Sequence, residues 1–415
     1  MAQPFRTARR QAQRGLTLVE LIVSVGLGIL VIGVVVYSYV GAKGTYRAGK
    51  SSSRIQEAGH FGLDTMLLDV RNAGFVGCGS RQAVSYNPPG VGQMSIYQIA
   101  NPPLSVSTTA DAMAGYMPSS YQAQGATSGW PVAAQAAPAP WIAGDALTLR
   151  IVTGTPVGMA QDPVAGSETM FLNNNCGNLA QGNYLMVSNC TNATILRVSN
   201  KPQTGAQACP RTNNGVVPGG VPVQYTNAPN CNNNSVACNT NPTNPSQTPQ
   251  LSPPSGNLFY AASMTMAQQF DEVTYYVGQV PPVNGIAVRP PALYRYSAAA
   301  ALADPLHASE EIIDHVENMV VTYGVLVGNG IVCEDAGLVQ ATNAWGYVRS
   351  VRVSIVAVGD EAGMVDNPQS FTLGQCETGA GTGPTTKTIQ IPATPGDTRL
   401  HQIFTATASL GDKLQ

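Results

Sequence analysis

Residues 14–43 read RGLTLVELIVSVGLGILVIGVVVYSYVGAK, and from Leu16 to Ala42 every residue except Glu20 is apolar or uncharged. Roughly 20 apolar residues, at about 1.5 Å rise per residue, match the hydrocarbon core of a bilayer, so this segment is long enough to span a membrane as a helix. A charge at the centre of such a helix costs on the order of 3 kcal/mol on insertion scales. The carboxylate near the start of the segment therefore needs an explanation.

The residues before this segment predict its orientation. They include four arginines and no acidic residue: Arg6, Arg9, Arg10 and Arg14. The positive-inside rule keeps such a flank in the cytoplasm and predicts that the rest of the chain is exported. A secretory signal peptide also begins with basic residues, but its apolar region is shorter and a small-residue cleavage site follows it. No such site is evident here.

One interpretation of Glu20 is purely structural. The run Thr17-Leu18-Val19-Glu20 fits a capping box, in which a carboxylate at the third helical position reaches back to the amide of the N-cap residue. An acid in the first turn also interacts favourably with the helix dipole. Any helix can have these features, so the residues alone leave a capping role and a functional role both open.

The order of residues carries a resemblance. A basic leader, Gly15, an apolar residue, Thr17, two apolar residues and Glu20 precede a long apolar helix, and this order resembles the signature of type IV prepilins. The resemblance implies that a prepilin peptidase cuts after Gly15 and methylates the new amine of Leu16. It also implies that Glu20 assists subunit assembly. Leu16 stands where many members of the family have phenylalanine.

Elementary electrostatics makes this role of Glu20 intelligible. Cleavage would place a cationic amine at Leu16, and a carboxylate about 4 Å away at an effective dielectric constant near 20 returns roughly 4 kcal/mol, which is comparable to the insertion cost. The two residues are four apart, so they can pair within one helix. In a filament Glu20 can instead meet the amine of a neighbouring subunit, and the sequence leaves both arrangements open.

Composition and cysteine content predict an exported protein. The chain has 415 residues, a mass of 43.2 kDa, a net charge of −2 and only 11% charged residues, which gives no indication of nucleic-acid binding. All eight cysteines follow the apolar segment, where thiols would oxidise, so we expect disulfides. These cysteines are Cys78, Cys176, Cys190, Cys209, Cys231, Cys238, Cys333 and Cys376.

Two cysteine pairs are close enough in sequence to suggest a local link. Cys176 and Cys190 bracket GNYLMVSN, and we expect them to form a disulfide. This disulfide would close a loop of about 15 residues and stabilise the folded state by about 3 kcal/mol in the chain-entropy model. Cys231 and Cys238 could staple the surrounding loop locally. Eight cysteines allow 105 pairings, so the other connections stay open.

The helix is predicted to continue beyond the membrane over residues 43–75. A stripe at three- and four-residue steps can lie on a globular domain, and it comprises Ile55, Gly59, Gly62, Met66, Val70 and Ala73. Gly41, Gly44 and Gly49 each cost about 1 kcal/mol relative to alanine in a helix. They favour a flexible or locally melted section between membrane and head.

Beyond Phe75 the pattern changes to turns and short strands with approximate alternation. The candidate strands are DALTLRIV at 145, NYLMVS at 183, TILRVS at 194, DEVTYYVG at 271, ALYRYS at 292, ENMVVTYGV at 317, YVRSVRVSIVAVG at 347 and RLHQIFTATASL at 399. Between Arg211 and Asp271 no side chain is charged, and Asn, Pro, Thr and Ser dominate. Residues 210–256 are therefore predicted to form a long loop.

Several segments extend the resemblance to PilW-type minor pilins. They are KGTYRAGKSSSRIQEAGHFGLDTMLLDVRNAGFVGC, GDALTLRIV, GNYLMVSNCTNATILRVSN, ALYRY, HVENMVVTYGV and WGYVRSVRVSIVAV. The resemblance implies a non-catalytic subunit that primes type IV pilus assembly and sits at the filament tip, in a system used for adhesion and twitching motility. The implied partners are other minor pilins, the major pilin, a PilY-type tip adhesin, the prepilin peptidase and the inner-membrane assembly platform. The implied location is the inner membrane, with a single pass and a periplasmic head, and then the extracellular pilus tip.

No catalytic or metal-binding motif is found. The four histidines are scattered (His60, His307, His315 and His401), and HExxH, GxSxG, P-loop and paired CxxC patterns are absent from the sequence. The acidic set Glu310, Glu311, Asp314 and Glu317 is predicted to be a solvated face, because no loop of alternating oxygen ligands with a turn glycine accompanies it. Trp130, Trp141 and Trp345 are predicted to fill a β core. We therefore expect no enzyme, no metal and no cofactor.

The predicted fold is α+β and pilin-like, with a long N-terminal helix packed on an antiparallel β-sheet head that carries loop-rich insertions. The predicted organisation is a leader (1–15), a transmembrane and filament-core helix (16–42), its amphipathic continuation (43–75), the first part of the head (76–209), the loop (210–256) and the rest of the head (257–415). Two alternatives stay open. One is a type II secretion pseudopilin, and the other is an adhesin that binds surfaces directly through the loop, in which case deleting residues 212–255 would abolish attachment but not piliation.

Overall fold

The computed structural model describes residues 17–74, 113–116, 139–164, 167–189, 193–211, 216–225, 260–281, 289–304, 307–328, 330–342, 344–365, 369–373, 387–390 and 398–410. The chain divides into two compact units, Met1–Ser53 and Arg54–Gln415. Helix α1 (Leu18–Asn72, 55 residues) supplies most of the described part of the first unit and the beginning of the second.

Helix α1 runs without interruption through Gly41, Gly44 and Gly49. The prediction of a melted section at these glycines is therefore wrong. Each glycine costs only about 1 kcal/mol, and each is flanked by residues that continue the hydrogen-bond ladder, so isolated glycines weaken the helix without ending it.

The second unit is built mainly of strands. Before its long central strand lie β1 (Met113–Tyr116), β2 (Trp141–Gly158), β3 (Thr169–Leu172), β4 (Tyr184–Ser188), β5 (Ala193–Arg197) and β6 (Val221–Gln224). Then follow β7 (Met266–Gly278), β8 (Ala292–Ser297), helix α2 (Ala298–Ala303), β9 (Ser309–Asp314), β10 (Val316–Val327), β11 (Gly330–Glu334), helix α3 (Ala336–Ala341), β12 (Val348–Val358), β13 (Ser370–Leu373), β14 (Lys387–Gln390) and β15 (His401–Ser409). All eight strands predicted from the sequence are confirmed.

Every strand pairing in the described residues is antiparallel. A seven-stranded sheet has the order β1-β2-β7-β4-β5, and β8 pairs with both β7 and β9. A four-stranded sheet has the order β11-β10-β12-β15, and β3-β6 and β13-β14 form two small ribbons. Together with α1, these sheets confirm the α+β, pilin-like fold.

The segment of α1 from Arg54 onward packs against both larger sheets through the predicted stripe. Ile55, Met66, Val70 and Ala73 are buried in one core together with side chains from both sheets. A Cβ on Gly59 would lie 2.4 Å from the ring of Phe404 on β15, so the helix approaches the sheet as closely as a glycine permits. The stripe prediction is confirmed.

The two larger sheets meet where β2 passes β10. Gly144 has φ +75° and its Cβ position lies 2.5 Å from the carbonyl oxygen of Met319, so this approach requires glycine. The buried carboxylate of Asp145 accepts a hydrogen bond from the Val321 amide at 2.7 Å. This contact ties the two sheets together.

A second, separate hydrophobic core is formed mainly by residues between β2 and β7 in the sequence. It contains Met159, Met170, Leu172, Leu179, Leu185, Val187, Leu196, Val198, Val223, Tyr225, Tyr260 and Ala267. We call residues 159–265 the inserted lobe. Strand β6 lies within the stretch predicted to be a loop (210–256), because Val221 and Val223 are both buried and Val223 packs in this core. Residues 212–215 and 226–256 of that stretch lie outside the described residues.

The inserted lobe contains a disulfide between Cys176 and Cys209, with 4.8 Å between their Cα atoms. The predicted pair Cys176–Cys190 is therefore wrong. The Asn175 amide donates a hydrogen bond to the Ala208 carbonyl at 2.8 Å, so backbone pairing brings together two turns that are distant in sequence. Cys333 is also disulfide-bonded, with a partner outside the described residues. Cys78, Cys190, Cys231, Cys238 and Cys376 lie outside them too.

Candidate functional site

The start of α1 is the first candidate site. The Glu20 amide donates to the Thr17 hydroxyl at 3.3 Å, and the Leu21 amide donates to the Thr17 carbonyl at 3.1 Å. Thr17 therefore caps the helix. The Glu20 side chain is exposed, and no hydrogen bond or ion pair from its carboxylate to another described residue is found. Gly15 and Leu16, at the predicted cleavage site, lie outside the described residues.

The apolar part of α1 is exposed along its length. Helix α1 is long and apolar enough to cross a membrane, and no residue of its most apolar stretch of 18 residues is buried. Tyr37, Tyr39 and Tyr46 are exposed where the apolar residues give way to polar ones. Tyrosines at this position are typical of a membrane–water interface, so the segment has the features of a membrane anchor.

A polar contact fixes the far end of α1 to the seven-stranded sheet. The Tyr275 hydroxyl donates to the Asp69 carboxylate at 2.7 Å, and the Arg295 Nε donates to the same carboxylate oxygen at 3.0 Å. Burial, followed by the negative charge of Asp69, raises the pKa of the Tyr275 hydroxyl. Since all three groups are partly or fully shielded, this contact fixes the rotation and register of the helix on the sheet.

On the same sheet, Arg150 of β2 and Glu272 of β7 form an ion pair at 2.9 Å. The Arg150 side chain is 1% exposed and the Glu272 side chain 9%. Burial raises the pKa of Glu272, although the charge and hydrogen bond of Arg150 oppose that shift. The pair therefore belongs to the interior of the sheet.

Asp271, the neighbour of Glu272, caps helix α2 from the sheet. It accepts hydrogen bonds from the Ser297 hydroxyl at 2.7 Å and from the Ala299 amide at 2.9 Å. Burial raises the pKa of Asp271 to about 6, against the opposing effect of these hydrogen bonds and of Arg295.

This raised pKa predicts a pH-dependent stability. Between about pH 4 and pH 6 the folded state keeps a proton on Asp271 that the unfolded state releases, so the free energy of unfolding falls as the pH rises through this window. At 1.36 kcal/mol per pKa unit the fall is up to about 3 kcal/mol. Urea unfolding of Asp271→Asn at several pH values should show a flatter profile than the wild type. The exposed Asp64→Asn variant, as control, should keep the wild-type slope, and a wild-type slope in Asp271→Asn would contradict the assignment.

A third set of charged groups lies at one end of the four-stranded sheet. Glu317 on β10 accepts from Arg399 at 2.7 Å and lies 3.1 Å from Nε2 of His401, whose side chain is fully buried. The pKa of Glu317 is lowered, since hydrogen bonds and charge from His401 and Arg399 outweigh the opposing effect of burial. Glu317 is thus an internal partner and not part of a solvated face.

The other predicted site residues do not converge. Glu310 and Glu311 are exposed as predicted, and Glu311 pairs with Arg289. Of the histidines, His60 contacts the Phe404 ring and His307 pairs with Asp304 on the surface. In the described part of the chain, no three His, Cys, Asp or Glu side chains are grouped so that they could hold a metal ion. Trp141 and Trp345 are buried, as predicted, while Trp130 lies outside the described residues.

Comparison with protein families gives a match over part of the chain. Residues 274–411 match the family model PilW, described as type IV pilus-assembly protein W. This match over part of the chain supports a PilW-type pilus protein. The match begins inside β7 and includes β8 to β15, so it covers the four-stranded sheet and the strand that carries Arg295. No curated protein and no solved structure matches the chain.

The PilW-type match links the protein to type IV pilus assembly. The apolar part of α1 has the features of a membrane anchor. The matched residues include Tyr275 and Arg295, which hold Asp69 of the helix. Sequence reasoning missed this contact, because Asp69 lies 206 and 226 positions from its two partners. The inserted lobe lies before the matched region, so the PilW-type match gives no indication of its role.

Proposed function

We propose that the protein is a minor pilin, a non-catalytic structural subunit that primes type IV pilus assembly and occupies the pilus tip. A prepilin peptidase would remove residues 1–15 and methylate Leu16. The mature protein would stay in the inner membrane, with its head in the periplasm, until it enters the filament. Its partners would be other minor pilins, the major pilin, a PilY-type adhesin and the assembly platform.

The observation that carries this proposal is the combination of an exposed apolar helix start with a PilW-type head. Along the apolar part of α1 the exposed residues include one acid, Glu20, and a buried location for that acid in a filament requires a cationic partner. The amine that cleavage creates at Leu16 would be such a partner, either in the same helix or in a neighbouring subunit. Association of helices through this surface would build the filament core.

The tip position is supported by the size and build of the head. About 340 residues follow Ala73, and they include an inserted lobe with its own core and disulfide. A shaft subunit must present complementary surfaces at every repeat of a helical array. A tip subunit makes its contacts once and leaves one side free. The inserted lobe is more easily accommodated in the second arrangement.

Gold labelling of the head tests the tip position. We expect label at one end of each pilus, few copies per pilus, and a marked loss of pili when the protein is deleted, because initiation then fails. The measurement is immunoelectron microscopy with antibodies to the head, and labelling of the major pilin along the shaft serves as control. Gold distributed along the whole shaft would refute the tip position.

A further inference from the structure

Basic side chains follow directly on the apolar part of α1. They are Lys43, Arg47 and Lys50, and each of them is exposed. Spacings of four and then three residues place them on one face of the helix. From residue 21 to residue 56 the chain contains no Asp or Glu, so acidic residues of the helix itself do not offset this charge. We call Lys43, Arg47 and Lys50 the basic stripe.

The charge of α1 changes where the helix begins to pack on the sheets. Ile55 is the first residue of the helix in the main core, and from there onward the exposed residues include acids as well as bases, such as Glu57, Asp64 and Arg71. Arg54, four residues beyond Lys50, pairs with Asp360. The single-signed part of the helix is therefore the part between the apolar segment and the sheets.

The basic stripe lies at the level of phospholipid headgroups when α1 spans a bilayer. At about 1.5 Å per residue, Lys43, Arg47 and Lys50 lie roughly 5, 10 and 15 Å beyond Val40 along the helix axis. Headgroups extend about 5 to 8 Å beyond the hydrocarbon core. Side chains on a helix point back toward its N-terminus, here toward the bilayer, and long basic side chains extend to reach the interface. The three charges therefore come within about one Debye length, roughly 8 Å at physiological salt, of the headgroup phosphates.

We propose that the basic stripe binds anionic phospholipid headgroups at the membrane surface from which α1 emerges. A band of one sign requires a surface of the opposite sign, and the membrane is the surface that the preceding apolar segment brings next to it. A helix that leaves the bilayer at a tilt presents one face to the headgroups, which accounts for the one-sided arrangement. The proposal rests on the membrane-anchored state of the proposed function, in which the stripe holds the subunit against the bilayer until it enters the filament.

Photocrosslinking of the full chain in lipid vesicles tests this binding. The probes are phosphatidylglycerol and phosphatidylcholine that carry the same diazirine at the top of one acyl chain, and peptide mapping measures the crosslinks to residues 37–53. One cation near an anionic surface changes the local lipid preference about fivefold, so phosphatidylglycerol should crosslink there at least about fivefold more than phosphatidylcholine at low salt. The preference should disappear in 1 M NaCl, where the Debye length is about 3 Å.

The triple variant Lys43→Gln/Arg47→Gln/Lys50→Gln should lose the preference, since glutamine has a similar helix propensity but no charge. Lys43→Arg/Lys50→Arg should keep it, because the headgroups respond to charge.

A matched control removes the same charge from exposed positions of the second unit, Lys201→Gln/Arg211→Gln/Arg289→Gln, and should keep the wild-type preference. Equal crosslinking of both lipids to the wild type overturns the proposal and leaves an acidic protein surface as the partner of the stripe. A triple variant that keeps the preference overturns it as well. If the triple variant does not insert, the salt series on the wild type decides, and a preference that persists in 1 M NaCl overturns the proposal. Vesicles contain no pilus components, so this result and a piliation assay of the proposed function can fail separately.

Discussion

Replacing Glu20 by alanine should leave the protein inserted in the membrane and cleaved after Gly15, yet should strongly reduce its entry into pili. The variant loses a carboxylate that costs on the order of 3 kcal/mol in the membrane, so insertion is not impaired. It would also lose an attraction of roughly 4 kcal/mol, at an effective dielectric constant near 20, to the amine that the proposed cleavage creates at Leu16. The measurement is quantitative immunoblotting of membrane and sheared-pilus fractions, with pilus number counted by electron microscopy.

Two controls separate assembly from helix capping. Thr17→Ala removes the hydroxyl that accepts the Glu20 amide, which costs about 1 kcal/mol of local helix stability, and should affect pilus entry far less than Glu20→Ala. Mass spectrometry should find methylated Leu16 at the start of both mature variants. Normal piliation with Glu20→Ala would favour the capping interpretation, and a mature chain that starts beyond the apolar segment would remove the pilin interpretation.

The sequence predicted the parts of the fold that depend on periodicity. The α1 stripe was visible because a helix repeats every 3.6 residues, so one face of Ile55 to Ala73 could be read directly. The strands were visible because alternate β-branched and aromatic residues have to be buried. In both cases a local pattern shows which side chains face a core. It does not show which other helices or strands form that core.

Contacts between distant parts of the chain were not predictable in the same way. The Cys176–Cys209 disulfide depends on a backbone hydrogen bond between two turns, and sequence proximity favoured Cys190 instead. Strand β6 has four residues, which is too short to show a period inside an uncharged stretch. At Gly41, Gly44 and Gly49, propensity indicated a melted section that helix continuity overrides.

The candidate site also contains residues that the sequence reveals and residues that only the fold reveals. Glu20 stands out in the sequence because it is a charge in an apolar run, whereas Asp69 is an ordinary polar residue in ordinary surroundings. Its role arises from the fold, which brings α1 against β7 and β8 of the seven-stranded sheet. A buried or bridging charge of this kind is visible only once its partner's position is known.

The same reasoning applies most strongly to the buried pair of Arg150 and Glu272. Arg150 on β2 lies directly opposite Glu272 on β7, and the two strands are central in the seven-stranded sheet. A buried pair of charges contributes little net stability compared with apolar residues of similar size, but removing one partner leaves the other charge desolvated. Removing one partner therefore destabilises the protein by much more than the intact pair stabilises it.

Replacing Glu272 by alanine should accordingly lower the free energy of unfolding by about 3 to 5 kcal/mol, because the Arg150 guanidinium stays buried without the carboxylate that faces it. Urea unfolding of the full chain in mild detergent, followed by circular dichroism, measures this change. The double variant Arg150→Met/Glu272→Leu should recover most of the loss of stability, since it removes both charges and keeps the side-chain volume.

Arg289→Ala serves as the control: it breaks the exposed pair with Glu311 and should lower the free energy of unfolding by less than about 1 kcal/mol. A Glu272→Ala variant as stable as Arg289→Ala would contradict this prediction.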